Sequence, residues 1–244
     1  MKKKEQAQEP QVKIEEVSHE TESIEEHANV LFKPNEGPQT DFLAASEREV
    51  LYGGSAGGGK SYAMLADPLR YMGHPSFSGL LLRHTTEELR ELIFKSQELY
   101  PKIWKGIKWS ERKMQWTAPS GARLWMSYLD RDEDVLRYQG LAFSWIGFDE
   151  LTQWATPYAW NYMRSRLRST APDLPIFMRA TTNPGGRGHA WVKKMFIDPS
   201  AYGKAFDATN IETGEVLRYP SGHSKAVKAL FKRKFIPARL SDNP

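Results

Sequence analysis

Gly54-Ser55-Ala56-Gly57-Gly58-Gly59-Lys60-Ser61 matches G-x-x-x-x-G-K-[ST] at every fixed position. Glycines allow successive backbone N–H groups to turn inward around phosphate oxygens without a Cβ clash. A helix beginning at Lys60 would present its positive N-terminal end to the same anion. Lys60 would reach the β- and γ-phosphates and the Ser61 hydroxyl would bind Mg²⁺. Tyr62 completes the nucleotide-binding stretch Gly54–Tyr62. The context suits the motif, because a short strand, Glu49–Tyr52, enters the loop and a helix, Lys60–Met72, leaves it. Pro68 is expected to kink or shorten that helix.

Further along, strand and helix patterns alternate. Gly79–Arg83 reads as a buried strand and Thr86–Leu99 as a helix with Thr86 at its N-cap. Lys113–Pro119 and Ala122–Leu129 flank Ser120-Gly121 as a hairpin. Phe143–Phe148 is an apolar strand. A helix follows, capped by Thr156, with Pro157 at its first position and Trp160, Met163 and Leu167 on its inner face. Pro175–Thr181 is another strand. This alternation predicts an α/β P-loop NTPase fold of the RecA-like type, with a mainly parallel central sheet and helices on both faces.

Two further stretches carry chemistry. Trp145-Ile146-Gly147-Phe148-Asp149-Glu150 ends an apolar strand in two carboxylates. Asp149 would hold Mg²⁺ at the carboxyl edge of the sheet, and Glu150 would polarise the attacking water. An adjacent glutamate favours hydrolysis over transfer to a small molecule. Arg179-Ala180-Thr181-Thr182-Asn183-Pro184-Gly185-Gly186 is a strand ending in polar residues and a sharp turn, where Thr182 or Asn183 could bond the γ-phosphate or the lytic water.

Composition narrows the partners. The 244 residues are 40% apolar and 12% aromatic, enough for a sizeable core, and there is no cysteine for disulfides, thiolate metal sites or a cysteine nucleophile. No apolar run is long enough to span a membrane, and MKKKEQAQEP has no secretory h-region. Residues 1–30 hold four lysines and eight glutamates, net −4, so a chain of +4 overall leaves +8 for the rest. This predicts a disordered acidic arm over 1–30 and a basic globular domain over 31–244 that suits a polyanion. Arg164, Arg166 and Arg168, and the acid-free stretch 216–241 with Lys225, Lys228, Lys232, Arg233, Lys234 and Arg239, could touch the phosphates of such a partner without reading sequence.

As a set, GGSAGGGKS, RYQGLAFSWIGFDE and ATTNPGG resemble the ATPase domain of the large terminase subunit of tailed bacteriophages, over about residues 35–244. The resemblance implies an Mg-dependent, ASCE-class ATP hydrolase that moves double-stranded DNA into a procapsid without sequence readout. It implies portal protein and small terminase subunit as partners, a homo-oligomeric ring, and work in the host bacterial cytoplasm at the portal vertex. It implies that Thr181-Thr182-Asn183 couple hydrolysis to motion and that Gln39 reads adenine. It also makes Arg137 a finger on a neighbouring subunit's ATP; the second candidate for the extra cation is Arg83, which its place at the end of the GLLLR strand puts at the carboxyl edge of the sheet, on the ligand side. The closing KFIPARLSDNP resembles the junction to the family's nuclease, so the chain reads as that family's ATPase domain without its nuclease. A basic residue common early in the family's loop is replaced by Ser55 and Ala56. Two other readings stay open: a helicase fragment, and a non-hydrolysing assembly module that uses ATP as glue.

Overall fold

A computed structural model describes residues 32–55, 59–218 and 231–239. Ala56, Gly57 and Gly58 of the loop, the 1–30 arm, and Lys225 and Lys228 lie outside the described residues.

The strands are β1 (Glu49–Gly54), β2 (Ser78–Arg83), β3 (Lys108–Ser110), β4 (Gln115–Thr117), β5 (Arg123–Tyr128), β6 (Trp145–Phe148), β7 (Phe177–Thr182), β8 (Ala205–Asp207) and β9 (Lys232–Ala238). They form one sheet in the order β3-β4-β5-β2-β6-β7-β1-β9-β8. From β5 to β9 every pairing is parallel; only the flanking β3, β4 and β8 run antiparallel. The strand of Thr181 and Thr182 therefore sits between the phosphate-loop strand β1 and the acidic strand β6. Hence β1, β2, β6 and β7 all deliver their last residues to one edge, where an open parallel sheet binds ligands.

The α-helices are α1 (Pro38–Ala44), α2 (Lys60–Ala66), α3 (Thr86–Ile103), α4 (Tyr158–Arg164) and α5 (His189–Val192). Alternation along β1 explains the layering. Val50 and Tyr52 pack with Met64 of α2 and Leu92 of α3 on one face. Leu51 packs with Trp160 of α4 and Val192 of α5 on the other. The expected fold with helices on both faces is therefore present.

Local signals explain most boundaries. The helix from Lys60 tightens into a 3₁₀ turn, Asp67–Tyr71, at Pro68. The cap of α3 is Thr85 rather than Thr86: its hydroxyl accepts from Glu88 N at 3.3 Å, and the Glu88 carboxylate accepts from Thr85 N at 3.3 Å. This reciprocal box contributes about 1 kcal/mol. Pro157 is the N-cap of α4 and not its first helical residue, although Thr156 Oγ1 still accepts from Tyr158 N at 3.3 Å. The hairpin around Ser120-Gly121 forms as β4 and β5, but β3 has no counterpart in the sequence reading.

Two of the basic candidates are structural. Arg233 is fully buried, and its Nε and Nη2 meet Glu49 Oε2 at 2.8 and 2.6 Å. Arg164 Nε meets Glu49 Oε1 at 2.5 Å. Lys232 pairs with Asp207 at 2.6 Å and Lys234 lies 3.8 Å from Glu47. Arg164 and Arg233 read as candidate DNA contacts because the one carboxylate that folds in between them, Glu49, lies far upstream.

Candidate nucleotide site

The loop's glycines serve different ends. A Cβ on Gly54 would lie 1.9 Å from the Ala238 carbonyl oxygen, because β9 runs against the loop's first turn and Ser55 N donates to that oxygen at 3.0 Å. Gly54 is thus required by the neighbouring strand. Gly59 sits at φ 66°, ψ 12°, the left-handed corner that turns the chain into α2. Lys60 is buried, and its ammonium donates to Ser55 O at 2.5 Å and Gly54 O at 3.4 Å. Burial lowers its pKa, while Glu150 and Asp149 act to raise it. Ser61 follows on the first turn of α2. Tyr62 is half exposed on the same helix, with Lys95 Nζ 5.9 Å above its ring.

Gln39 is placed at the base of this loop. Its Nε2 donates to Gly59 O at 2.9 Å and its Oε1 accepts from Asn35 N at 2.6 Å. One Nε2 proton and one Oε1 lone pair remain for another partner.

The acidic pair sits at the same edge. Asp149 is fully buried, and the Thr181 hydroxyl donates to its Oδ1. Its Oδ2 lies 2.8 Å from Arg83 Nε in an ion pair that lacks hydrogen-bond alignment, so Oδ2 keeps acceptor capacity. Glu150 has φ 60° and ψ 56°, a strained backbone for a residue with a Cβ. Glu150 N donates to Thr181 Oγ1 at 3.1 Å, which helps hold that conformation. Its carboxylate accepts from Asn183 N at 3.0 Å and Asn183 Nδ2 at 2.8 Å. Burial, then the charge on Asp149, raises the Glu150 pKa above the ordinary glutamate range; the Asn183 amide, Arg83 and Lys60 offset only part of this. A raised pKa suits a group that takes a proton near neutrality.

The strand end is tied mechanically to the acidic turn. Thr182 Oγ1 lies 2.8 Å from Thr152 Oγ1, and Gly188 N donates to Thr152 O at 2.8 Å. Glu150, Thr152, Gln153, Asn183 and Pro184 line a cleft of about 300 Å³ together with Arg83. Arg137 is outside it. Its side chain is half exposed on the 3₁₀ turn Asp132–Tyr138, and it donates to Tyr128 O at 2.9 Å and Asp134 O at 3.2 Å. Of Arg83 and Arg137, Arg83 is the one beside the acidic pair, while Arg137 lies 3.4 Å from Asp134 Oδ1. The sequence singles out Lys60, Asp149 and Glu150, and the structure brings them to one sheet edge; Thr152 and Gln153, which line the same cleft, have nothing in their local sequence to mark them.

A family model for the phage terminase large subunit, Terminase_3, matches residues 46–221. The chain belongs to that family. Its fold is similar to the large terminase of a thermophilic bacteriophage, at 14% identity and TM-score 0.57, covering 86% of this chain and 47% of that one. The same phage's large terminase in complex with ADP is similar at 14% identity and TM-score 0.54, over 86% and 46%. The large terminase ATPase domain of Thermus phage P74-26 is similar at 10% identity and TM-score 0.52, over 85% and 81%. This terminase chain thus spans about half the length of the thermophilic phage's large terminase, and the likeness is one of fold. No curated protein sequence matches it. No helix among the described residues is long and apolar enough to cross a membrane.

Proposed function

We propose that residues 31–244 are the ATPase domain of a DNA-packaging terminase, preceded by an acidic arm over residues 1–30, and that they couple ATP hydrolysis to movement of double-stranded DNA into a procapsid. The observation that carries this reading is the Glu150 carboxylate, held by Asn183 at the sheet edge that also bears Lys60 and Asp149.

Lys60 and the amides of the glycine loop bind the phosphates. Lys60 exchanges its carbonyl partners for phosphate oxygens, which its charge favours. Gln39 offers its remaining donor and acceptor to adenine. The residues suit Mg²⁺: a hydroxyl at Ser61 and a buried carboxylate with spare acceptor capacity at Asp149 are hard oxygen donors. The ion would neutralise charge on the phosphate oxygens. Glu150 orients the attacking water and accepts its proton on a carboxylate oxygen now held by Asn183. As Glu150 takes the proton its bonds to Asn183 weaken, and Thr182 and Thr152 pass that change to the turn before α5. Arg137, on an outward-facing turn, completes the site of a neighbouring copy in a ring. Portal protein and the small terminase subunit are the proposed partners, in the host cytoplasm at the portal vertex. Catalysis of this kind is mostly positioning and electrostatics.

Phosphate release and nucleotide binding test the reading together. The wild-type chain, assembled with duplex DNA and portal, is expected to release phosphate. Glu150→Gln is expected to bind nucleotide yet release almost none. If the assembled wild type binds ATP but releases no phosphate, the assembly-module reading replaces this one.

A further inference from the structure

A concentration of basic charge runs from the end of α3 to the start of β5. Residues 101–123 carry Lys102, Lys105, Lys108, Arg112, Lys113 and Arg123 against one carboxylate, Glu111. All six cations are exposed, and among the described residues none forms an ion pair. Glu111 is engaged by Trp109 Nε1. Lysine on an edge strand discourages edge-to-edge pairing, but of the six only Lys108 lies on β3, so that role leaves five unexplained.

The sheet register arranges part of this charge. Lys108 is opposite Thr117, Thr117 is opposite Arg123, and Arg123 is opposite Ser78. Residues in register share a face, so Lys108 and Arg123 stand roughly 10 Å apart, two strand spacings, with Thr117 between them, its hydroxyl accepting from Gln115 Nε2 at 2.9 Å. Beyond Ser78 the row continues to Ser144, whose amide donates to Ser78 O at 2.8 Å. There it opens into a cavity of about 220 Å³ lined by Ser78, Ser144, Ser169 and Arg168. Arg168 is exposed, is in no ion pair among the described residues, and is tied to this edge by Arg168 N donating to Phe143 O at 2.9 Å. Ser78 and Arg123 are the first residues of β2 and β5, so the row lies at the amino-terminal edge of the sheet, opposite the nucleotide edge.

We propose that this row, from Lys108 through Arg123 to Arg168, is a docking surface for the phosphate backbone of duplex nucleic acid. Exposed, unpaired cations along one row match a line of phosphodiesters, whereas the Ser78 and Ser144 hydroxyls between them donate to Ala142 O and Ser78 O and are spent on holding the edge together. The proposal rests on the packaging reading for its partner and assigns that partner an edge of the sheet. Nucleotide and duplex then lie at opposite ends of the same strands.

The test is duplex binding by the full chain, using a mixed-sequence blunt DNA over a range of salt, with binding of an ATP analogue measured alongside. Lys108→Gln/Arg123→Gln/Arg168→Gln is compared with Arg90→Gln/Lys194→Gln/Lys204→Gln, which removes equal charge from exposed positions off the row. Each phosphate contact adds about 0.9 to the slope of log affinity against log salt. The row variant is expected to lose about 2–3 from that slope, the control less than about 1, with analogue binding kept in both. Equal losses in the two variants, or none in the row variant, overturn the proposal. If wild type binds the analogue but not the duplex, the row fails while the nucleotide site stands. If it binds duplex through the row but no nucleotide, the row stands and the ATPase reading fails.

Discussion

Glu49 and Glu150 are the same residue type at opposite edges of one mainly parallel sheet, and their surroundings make them chemical opposites. Glu49, at the start of β1, is fully buried with one oxygen on Arg164 and the other on Arg233. Burial alone would raise its pKa, but the two guanidinium groups outweigh it and hold the carboxyl below the ordinary value. Glu150, beyond the end of β6, is met by neutral amide donors of Asn183, and its carboxyl is pushed up. Burial next to permanent cations makes a carboxylate part of the framework. Burial next to neutral donors and a second carboxylate leaves it able to change protonation state.

The largest effect expected from breaking this contrast is Glu150→Gln. Phosphate release by the assembled chain should fall about 10²–10⁴-fold, the span of a lost general base, with nucleotide affinity kept. Glu49→Gln should act on stability instead. It leaves the buried Arg233 and the partly buried Arg164 short of their anion and should cost about 3–5 kcal/mol in denaturant unfolding. Were Glu49→Gln to cut phosphate release in the folded fraction as deeply as Glu150→Gln, the division of roles would be wrong. Asn183→Ala sharpens the comparison more gently, since it removes the Nδ2 bond but keeps the backbone one. Release should drop about tenfold, near the net value of one charge-assisted hydrogen bond, with little change in melting temperature.

The two glutamates should also oppose each other in pH dependence. The depressed pKa of Glu49 contributes stability that is present above its unfolded value, about 4.5, and is lost as pH falls through the lower folded value. The raised pKa of Glu150 works the other way: its contribution is greatest below about 4.5 and is lost as pH rises through the higher folded value. The acid limb of phosphate release should therefore lie above 4.5 and vanish in Glu150→Gln, while acid unfolding of wild type should begin lower and become shallower in Glu49→Gln. Coincident limbs in rate and unfolding would remove the distinction.

Much of the site was legible because its chemistry is local. A glycine loop followed by Lys60-Ser61, and a strand ending in Asp149-Glu150, each state their requirement within a few residues. The basic runs misled for the converse reason. Arg164 and Arg233 look solvated in sequence, and only the meeting of β1, β9 and α4 shows that Glu49 claims both. Arg83 could be placed on the ligand side of the sheet from its position at the end of β2, but not as the partner of Asp149, 66 residues away in sequence.

Periodicity, glycine chemistry and strand-end carboxylates are properties of neighbouring residues, so the chain alone determined the α/β fold, the phosphate loop and the acidic pair. Which strand lies between β1 and β6, which carboxylate each buried arginine meets, and which exposed cations keep no partner depend on residues brought together from far apart. Those are contacts of packing and register, and tertiary structure alone decided them.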